Sequence, residues 1–323
     1  MPNNIDSAVT SWRDQGFAIL PGFIAATDLQ PALSELGSLF PTAEEFHDCA
    51  DPERNRPFES EFGGIVDFPF ASSALSLLAV NDSLIDLAER LLGTPELRVI
   101  GIEAWAKYTG AAHYDQEHHR DYLSHSLVAP SSDPRFAVAE MFLFLVDTPV
   151  ELGPTSLVPR RHSVALPAIP NWYPSADGRT AEHHETWHSV KAAPELYEHE
   201  VAASGPAGTV VAFSNTTFHR GTELTLPRGA RYTVMVNFRP AGNDWNTRHS
   251  WQQHANGDEW HAFVRHASAR QLALFGWPPP GHDYWTTETV AGTQQRYPGL
   301  DMTPWAPAGL PSGRVRGLRH GTQ

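Results

Sequence analysis

Two short stretches, far apart in the sequence, carry the side chains best suited to chemistry: residues 116–121 and residues 213–219. Together they offer His119, Asp121 and His219, two imidazoles and one carboxylate. Such a set occupies one face of a non-haem Fe(II) ion and leaves the other coordination positions open for an oxidant and a substrate. Arg231 follows the second stretch, and its guanidinium can hold the carboxylate of an organic acid cosubstrate in a bidentate geometry.

The spacing of His119 and Asp121 suits a strand, because alternate residues of a strand point to the same face. The third ligand must then come from a distant strand. A second tripeptide of the same form, His113-x-Asp115, lies just upstream, and the motif alone does not decide between the two. We favour the later one because Gln116 precedes it and a strand-like run follows it. The alternative that both tripeptides lie in surface loops stays open at this point.

The composition favours a β-rich fold with long loops. The chain has 323 residues, enough for one large domain, and 41% of them are apolar. The 27 Pro and 24 Gly indicate many turns rather than a helical bundle. Cys49 is the single cysteine, which excludes an intramolecular disulfide and a cysteine-based zinc site.

The charge and the termini limit the classes of partner. A net charge of −14 argues against a nucleic-acid-binding surface and against a basic membrane-binding face. No apolar run approaches the length that spans a bilayer, and the first residues lack the basic and apolar regions of a signal peptide. We therefore expect a cytoplasmic protein with a small-molecule substrate and with no nucleic acid or membrane partner. The sequence leaves its oligomeric state open.

Hydrophobic periodicity predicts a helical support over residues 1–95. Its expected elements are a strand at 17–20, a helix capped by Thr27 or Asp28 and running to about Phe40, a loop at 41–70, and helical turns over 72–92 that divide at Asn81–Asp82, with Asp82 as a cap, and close at Gly93.

A β-rich core is predicted over residues 96–241, with strands at 97–108, 138–146, 209–213 and 231–238. Residues 167–200 are too long for a simple connection, which indicates a lid or an inserted loop pair. Residues 242–323 form a C-terminal extension, expected to have helices near 257–275 and 284–296 and to pack outside the barrel or cover its mouth. Six residues of these two regions could line an apolar pocket, although packing is the expected role for most: Trp172, Trp187, His188, Trp245, Trp251 and Trp260.

Four segments match one family in the same order: residues 12–23, Gln116-x-x-His119-x-Asp121, residues 152–163, and residues 205–213 followed by His219 and Arg231. They resemble the phytanoyl-CoA dioxygenase family of Fe(II)- and 2-oxoglutarate-dependent oxygenases. The resemblance implies a single oxygenase domain over 1–323 with a double-stranded β-helix (jelly-roll) core, mainly β with flanking helices. It also implies His119, Asp121 and His219 as iron ligands, Arg231 as the partner of the distal 2-oxoglutarate carboxylate, and Gln116 near the cosubstrate.

The sequence departs from the family at two places. Arg160–Arg161 stands where the family has Gly-Ser before a histidine, here His162, and His219 is followed by Arg220 rather than by a turn of small residues. Both departures bear on the substrate more than on the metal. His162 is expected to be structural.

Two basic residues compete with Arg231 for a role at the site. Arg228 lies in the turn Pro227-Arg228-Gly229 and is expected to face solvent, whereas Arg231 begins a strand. Lys107 could reach the site from the preceding strand, but a surface lysine is the expectation.

The implied reaction uses Fe(II), O2 and 2-oxoglutarate, which becomes succinate and CO2 while a small organic molecule is oxidised. Asp121 favours hydroxylation, desaturation or cyclisation, because the related halogenases have a small residue at that position. Two alternatives remain: a catalytically inactive jelly-roll binding protein, and a metal-dependent cupin-type enzyme that does not use 2-oxoglutarate.

Overall fold

The computed structural model describes residues 5–121, 126–127, 131, 133–167, 170–180, 191–248 and 250–307. The chain divides into two compact units, Met1–Ser250 and Trp251–Gln323. Trp187 and His188, which were expected in a lid, lie outside the described residues.

Most helices of the first unit precede its long strands, and α5 and α6 contact the strand Ala230–Pro240. The described helices are α1 (Ile5–Gln15), α2 (Ala26–Glu35), α3 (Ala43–His47), α4 (Pro52–Asn55), α5 (Ser73–Ala79), α6 (Asp82–Leu92) and α7 (Pro194–Glu198). The predicted division and end of the helical region 72–92 are confirmed. The predicted cap Asp82 is wrong, because Asp82 is the first residue of α6. The cap is Asn81, whose side chain accepts a hydrogen bond from Ser83 N at 2.8 Å, and Gly93 ends α6 at φ 71°.

Two further helix predictions are wrong. Helix α2 begins at Ala26 with no side-chain cap, so neither Thr27 nor Asp28 has the predicted role, because both already lie inside the helix. The expected loop 41–70 contains α3 and α4, each started by a local cap: Thr42 with Glu45 in a capping box, and Asp51. These helices are too short to produce a helical period, which is why the hydrophobic pattern missed them.

Eleven strands among the described residues form two antiparallel sheets. They are β1 (Phe17–Leu20), β2 (Val66–Asp67), β3 (Leu97–Tyr108), β4 (His118–His119), β5 (Ala139–Phe144), β6 (Ser156–Leu157), β7 (Trp172–Tyr173), β8 (Val201–Ala202), β9 (Val210–Ser214), β10 (His219–Arg220) and β11 (Ala230–Pro240). The first sheet has the order β1-β9-β5-β11-β3-β2, and the second has the order β7-β4-β10-β6-β8. The predicted strands at 17–20, 97–108, 138–146, 209–213 and 231–238 are confirmed within two residues at most ends.

A buried apolar cluster fills the space between strands of the two sheets. Its members come from the first sheet and from β6 of the second, with Ala203 just after β8: Phe17, Phe142, Phe144, Leu157, Ala203, Val211, Phe213 and Met235. Most of the residues from the first sheet occupy alternate positions of their strands, which puts them on one face. Part of the expected insertion 167–200 belongs to the core, because β7 pairs with β4.

The second unit has a separate aromatic core. Its helices are α8 (Asp258–His266), α9 (Ala269–Ala273) and α10 (Thr287–Arg296), which match the two predicted helical regions. The rings of Trp251, Trp260 and Phe263 each lie 5.1–5.4 Å from the ring of Phe275. Trp251 and Trp260 therefore have packing roles within this unit. In neither unit do the described residues include a helix of the length and apolar character needed to cross a bilayer.

Candidate metal centre

His119, Asp121 and His219 converge in the structure, although His219 comes from a different strand. A ligand atom from each lies within 4.8 Å of the other two. His119 Nε2 is 3.3 Å from Asp121 Oδ1, and His219 Nε2 is 3.4 Å from Asp121 Oδ2. Adjacent ligands of one metal ion have separations of this size when each bond is about 2.1 Å long. The three side chains therefore form a site of the right dimensions for a single ion.

The backbone around the histidines fixes which ring nitrogen faces the site. His119 Nδ1 lies 2.8 Å from Glu117 O, and His219 Nδ1 lies 3.2 Å from Thr217 O. Since a carbonyl oxygen only accepts, each Nδ1 carries a hydrogen and donates it. In the neutral rings each Nε2 then presents a lone pair toward the carboxylate of Asp121. A cation between them removes this repulsion, which is the arrangement expected of metal ligands.

The electrostatics of the cluster keep a charged carboxylate in a buried place. Burial opposes ionisation of Asp121, but the charge of His219 and hydrogen bonds from His119 and His219 outweigh it and hold the pKa of Asp121 well below its usual range. Burial likewise opposes protonation of His219, but the charge of Asp121 outweighs the effect of burial and raises the pKa of His219. Without a metal, a proton takes the place of the cation between these groups.

Antiparallel pairing explains how two distant segments meet. His219 of β10 is the register partner of His119 of β4, so both rings lie on the same face of the second sheet. The ring centroids are 4.5 Å apart. Trp172 of β7 is the next partner across the sheet, and its indole stacks on His119 at 3.8 Å with an interplanar angle of 16°. The second sheet therefore presents both histidines and an aromatic wall together.

Arg231 and Lys107 form a pair of buried cations at another part of the same cavity. They are register partners on β11 and β3, and both line the cavity that contains the three converging side chains. Their exposed fractions are 3% and 8%, and neither forms an ion pair with a described residue. Arg231 Nη1 donates a long bond of 3.4 Å to Leu152 O, whereas its Nε has no partner among the described residues.

Two buried like charges on facing strands are unfavourable unless an anion joins them. Burial first, and then the charge of the neighbouring Arg231, lower the pKa of Lys107 to about 7. Burial also lowers the pKa of Arg231 to about 10. A carboxylate bound between the two side chains would offset their mutual repulsion and favour the charged form of each. The expectation that Lys107 is a surface lysine is wrong, because its position on β3 points its side chain into the cavity.

The cavity has a volume of about 330 Å³ and is lined from both sheets. Its described lining includes the three converging side chains, the Arg231–Lys107 pair, and further aromatic and charged residues: Glu61, Phe62, Glu103, Trp105, Gln116, Arg120, Phe142, Asn171, Trp172, Met235 and Arg248. A volume of this size suits a small dicarboxylic acid together with a small second molecule.

The sequence model of the family described as phytanoyl-CoA dioxygenase (PhyH) matches residues 12–225, more than half of the 323 residues. The chain belongs to the phytanoyl-CoA dioxygenase family. The predicted family resemblance is thereby confirmed, and the match includes both short stretches that carry the converging side chains. No curated protein sequence matches the chain at a significant level.

Solved structures similar to this member of the phytanoyl-CoA dioxygenase family share its jelly-roll core. The non-haem alpha ketoglutarate-dependent carbocyclase SnoK from nogalamycin biosynthesis has a TM-score of 0.50 at 20% identity, covering 73% of this chain and 83% of SnoK. EvdMO1 has a TM-score of 0.51 at 16% identity, covering 74% of this chain and 50% of EvdMO1. The epimerase SnoN, solved with Fe3+, alpha ketoglutarate and nogalamycin RO, has a TM-score of 0.49 at 19% identity, covering 73% and 84%. The predicted fold class is confirmed.

In this phytanoyl-CoA dioxygenase family member, the geometry distinguishes the two His-x-Asp tripeptides. His113 is exposed and lies 3.7 Å from Glu223, while Asp115 accepts a hydrogen bond from Arg220. Neither belongs to the converging set. Arg228, at φ 55°, is exposed and pairs with Asp48 at 2.7 Å, as expected for a turn.

Gln116 lines the cavity, but its carboxamide oxygen already has a partner. It accepts a hydrogen bond from Gly221 N at 2.6 Å, and Gln116 N donates to Gly221 O at 3.1 Å. These bonds hold the chain after His219 against the chain before His119. His162, expected to be structural, stacks on His199 at 3.7 Å and is absent from the described cavity lining.

Sequence reasoning missed a charged network on the outer face of the second sheet. Arg220 Nε and Nη2 donate to Glu200 at 2.7 and 2.9 Å, and His118 Nε2 lies 3.1 Å from the same carboxylate. Burial opposes ionisation of Glu200, but hydrogen bonds from His118 and Arg220 lower its pKa to about 2. His118 and Arg220 directly neighbour His119 and His219, so one carboxylate joins both strands. Only the unusual Arg220 gave a signal in the sequence.

Proposed function

We propose that this chain is an Fe(II)- and 2-oxoglutarate-dependent dioxygenase that hydroxylates a small organic molecule. One observation carries the proposal: His119, Asp121 and His219 converge at a cavity that also contains two buried cations, Arg231 and Lys107, with no ion-pair partner among the described residues. The first group fits a divalent metal with three open positions, and the second fits the far carboxylate of a dicarboxylic acid. Both groups line the same cavity, one from each sheet, which suits a metal-chelating acid that reaches between them.

His119, Asp121 and His219 would hold the iron through Nε2, a carboxylate oxygen and Nε2. When bound, iron and 2-oxoglutarate supply the oxidation: O2 converts 2-oxoglutarate to succinate and CO2, and one oxygen atom enters a C–H bond of the substrate. Asp121 fills the position that the halogenases keep vacant for a halide. This is the feature that supports hydroxylation over halogenation.

The protein positions and shields the reactants. The Arg231 guanidinium and the Lys107 ammonium orient the cosubstrate by its distal carboxylate, and the carbonyls of Glu117 and Thr217 hold the histidine rings. Apolar side chains of Phe142 and Trp172 line the cavity beside His219 and His119, with ring distances of 6.4 and 3.8 Å. They exclude water from the face where a substrate C–H bond must approach.

The test is anaerobic reconstitution of the full chain with Fe(II), followed by addition of 2-oxoglutarate. A chelated 2-oxoglutarate gives a weak visible charge-transfer band. We expect the band in wild type, its loss in His219→Ala, and a rise of at least about tenfold in the 2-oxoglutarate Kd for Arg231→Ala, because a buried charge-assisted contact contributes about 1.5–3 kcal/mol.

Two matched controls make this test specific. Arg228→Ala removes an exposed arginine three positions away, and His113→Ala removes the histidine of the competing tripeptide. Both variants should keep the wild-type band and the wild-type Kd. A wild-type protein that retains no iron and shows no band would favour the inactive binding protein. Iron retention without any effect of 2-oxoglutarate would favour the cupin-type enzyme.

A further inference from the structure

The inner face of β3 extends the cavity beyond the cosubstrate. Glu103, Trp105 and Lys107 alternate along this strand and all line the cavity. Successive members of the series are roughly 7 Å apart, so Glu103 lies about 13 Å along the strand from Lys107. Lys107 belongs to the end that holds the distal carboxylate of the cosubstrate. The proposed function leaves the end around Glu103 available for the substrate.

The charges of the residues that line the cavity nearly balance. Among its described lining residues, the carboxylates of Glu61, Glu103 and Asp121 face the cations of Lys107, Arg231 and Arg248. One further cation of the lining, the arginine at position 120, donates to the carbonyls of residues 167 and 170 and stacks over the ring of residue 218. Fe(II) and the 2-oxoglutarate dianion cancel each other. The lining keeps an excess of one positive charge, which gives little attraction for a substrate with several negative charges.

The substrate end carries a salt bridge that can exchange partners. Arg248 Nη1 donates to Glu103 Oε1 at 2.7 Å, with side-chain exposures of 31% and 5%. Such a pair offers a donor and an acceptor side by side on the cavity wall. It can receive the two charges of a zwitterion or several hydroxyl groups, whereas a long alkyl chain would bury both ions without replacing any of their hydrogen bonds.

Two further polar groups at the wall lack a partner within the described chain. Trp105 Nε1 is a buried donor, and Asn171 Oδ1 is a buried acceptor in a side chain that is 2% exposed. Asn171 Nδ2 donates to the carbonyl of Arg120, which fixes the orientation of the amide. The two groups belong to opposite walls. Trp105 lies on β3 of the first sheet, and Asn171 immediately precedes β7 of the second.

Each of the two groups is separated from a proposed metal ligand by one aromatic ring. Trp105 packs edge-on against Phe142 at 5.4 Å, and the Phe142 ring is 6.4 Å from the His219 ring. Asn171 is followed by Trp172, which stacks on His119. A molecule that occupies the space between these walls therefore meets apolar rings beside the metal and polar groups further away. An unmet buried donor or acceptor costs free energy, which a matching substrate would recover.

We propose that the substrate is a small polar molecule without net charge, either a zwitterion or a neutral polyol, whose polar groups are bound by Trp105, Asn171 and the Glu103–Arg248 pair. This assignment rests on the proposed function and specifies its substrate class. It separates this chain from an enzyme for long-chain acyl thioesters, although such a substrate gives the family its name.

The experiment measures succinate release by the Fe(II)-loaded full chain with 2-oxoglutarate and one of three probe pools. The first pool contains the common zwitterionic amino acids, the second contains monosaccharides and cyclitols, and the third contains palmitate and palmitoyl-CoA. We expect the first or the second pool to stimulate succinate release. The pool that does so shows whether the substrate is a zwitterion or a neutral polyol. Stimulation by the third pool only, or by none, overturns the substrate class.

Single substitutions then test the assigned residues on the stimulating compound. Trp105→Phe removes the N–H group together with part of the indole ring, and Asn171→Ala removes the acceptor. Each should raise the substrate KM about three- to tenfold and leave the 2-oxoglutarate KM within twofold of wild type, as expected for one hydrogen bond. Trp12→Phe, at a buried tryptophan of α1 outside the described cavity lining, is the matched control. Unchanged substrate KM values in both test variants overturn the assignment.

The charge-transfer band separates this proposal from the proposed function. Loss of the band in wild type contradicts the function itself. A normal band combined with the wrong class of stimulating compound contradicts only the substrate assignment.

Discussion

Lys107 should make 2-oxoglutarate binding dependent on pH, and Lys107→Met should remove that dependence. Burial, together with Arg231, lowers the pKa of Lys107 to about 7 in the ligand-free protein. A bound carboxylate favours the protonated form and raises this pKa by about one to three units. Since the carboxyl groups of 2-oxoglutarate are ionised well below pH 6, binding above pH 7 requires Lys107 to take up a proton.

The sign and the size of the effect follow from this difference in pKa. Below pH 7 Lys107 is already protonated, so affinity is independent of this group. As the pH rises above 7, each pH unit weakens 2-oxoglutarate binding by about 1.4 kcal/mol, a tenfold rise in Kd, until the pH reaches the pKa of Lys107 in the complex. Between pH 6 and pH 8 we therefore expect the wild-type Kd to rise about tenfold. Lys107→Met keeps a side chain of similar length without the charge and should bind more weakly at pH 6.

The assay is anaerobic calorimetry of the Fe(II)-loaded protein in two buffers of different ionisation enthalpy, which counts the protons taken up. Lys191→Met is the matched control, because Lys191 is the other lysine of the chain and is exposed. Titration of the ligand histidines affects all three proteins alike. Equal pH slopes for wild type and Lys107→Met, or no proton uptake by wild type at pH 8, would refute the account of the cation pair.

Three further outcomes follow from the same geometry. Lys107→Met should raise the Tm of the metal-free protein at pH 6 but have little effect near pH 10. The pKa of the buried lysine is lowered from 10.5 to about 7, so the lysine destabilises the folded protein fully below about pH 7, and this destabilisation disappears as the pH rises to 10.5. Glu200→Gln should lower the free energy of unfolding in urea by about 2 kcal/mol, less than the usual loss for a broken buried pair because Asp115 still pairs with Arg220; an unchanged midpoint would contradict this. Asp121→Ala should abolish substrate-dependent hydroxylation, measured by product mass, and full turnover would exclude Asp121 as a ligand.

The sequence predicted the main strands and the three converging side chains because those features have local signals. The apolar alternation of β3 and β11 is visible in the chain, and the form His-x-Asp marks a strand end. The sequence favoured His119 over His113 only through the neighbouring residues, and the register between β4 and β10, which places His219 directly opposite His119, supports that choice. Register depends on tertiary pairing, and a single sequence does not contain it explicitly.

Lys107 shows how a correct strand can carry a wrong side-chain assignment. A lysine near a strand end is most often solvated, and the expectation followed that rule. The alternation Glu103, Trp105, Lys107 gave a usable signal, since three large non-aliphatic residues on one strand face rarely form an apolar core. The helices of residues 41–70 escaped detection for another reason. Their caps, Thr42 and Asp51, are local, but they contain too few turns for a period.

The charged network behind the metal centre explains why the departure at Arg220 is compatible with metal binding. Strands β4 and β10 are only two residues long, so few backbone hydrogen bonds hold their register. Their inner side chains point to the cavity, and their outer side chains, His118 and Arg220, share the carboxylate of Glu200. Because Glu200 lies in the segment expected to be an insertion, that segment fixes the distance between His119 and His219 from outside. An arginine after His219 therefore supports the positions of the proposed ligands, and the residues proposed to bind the substrate lie on the opposite face.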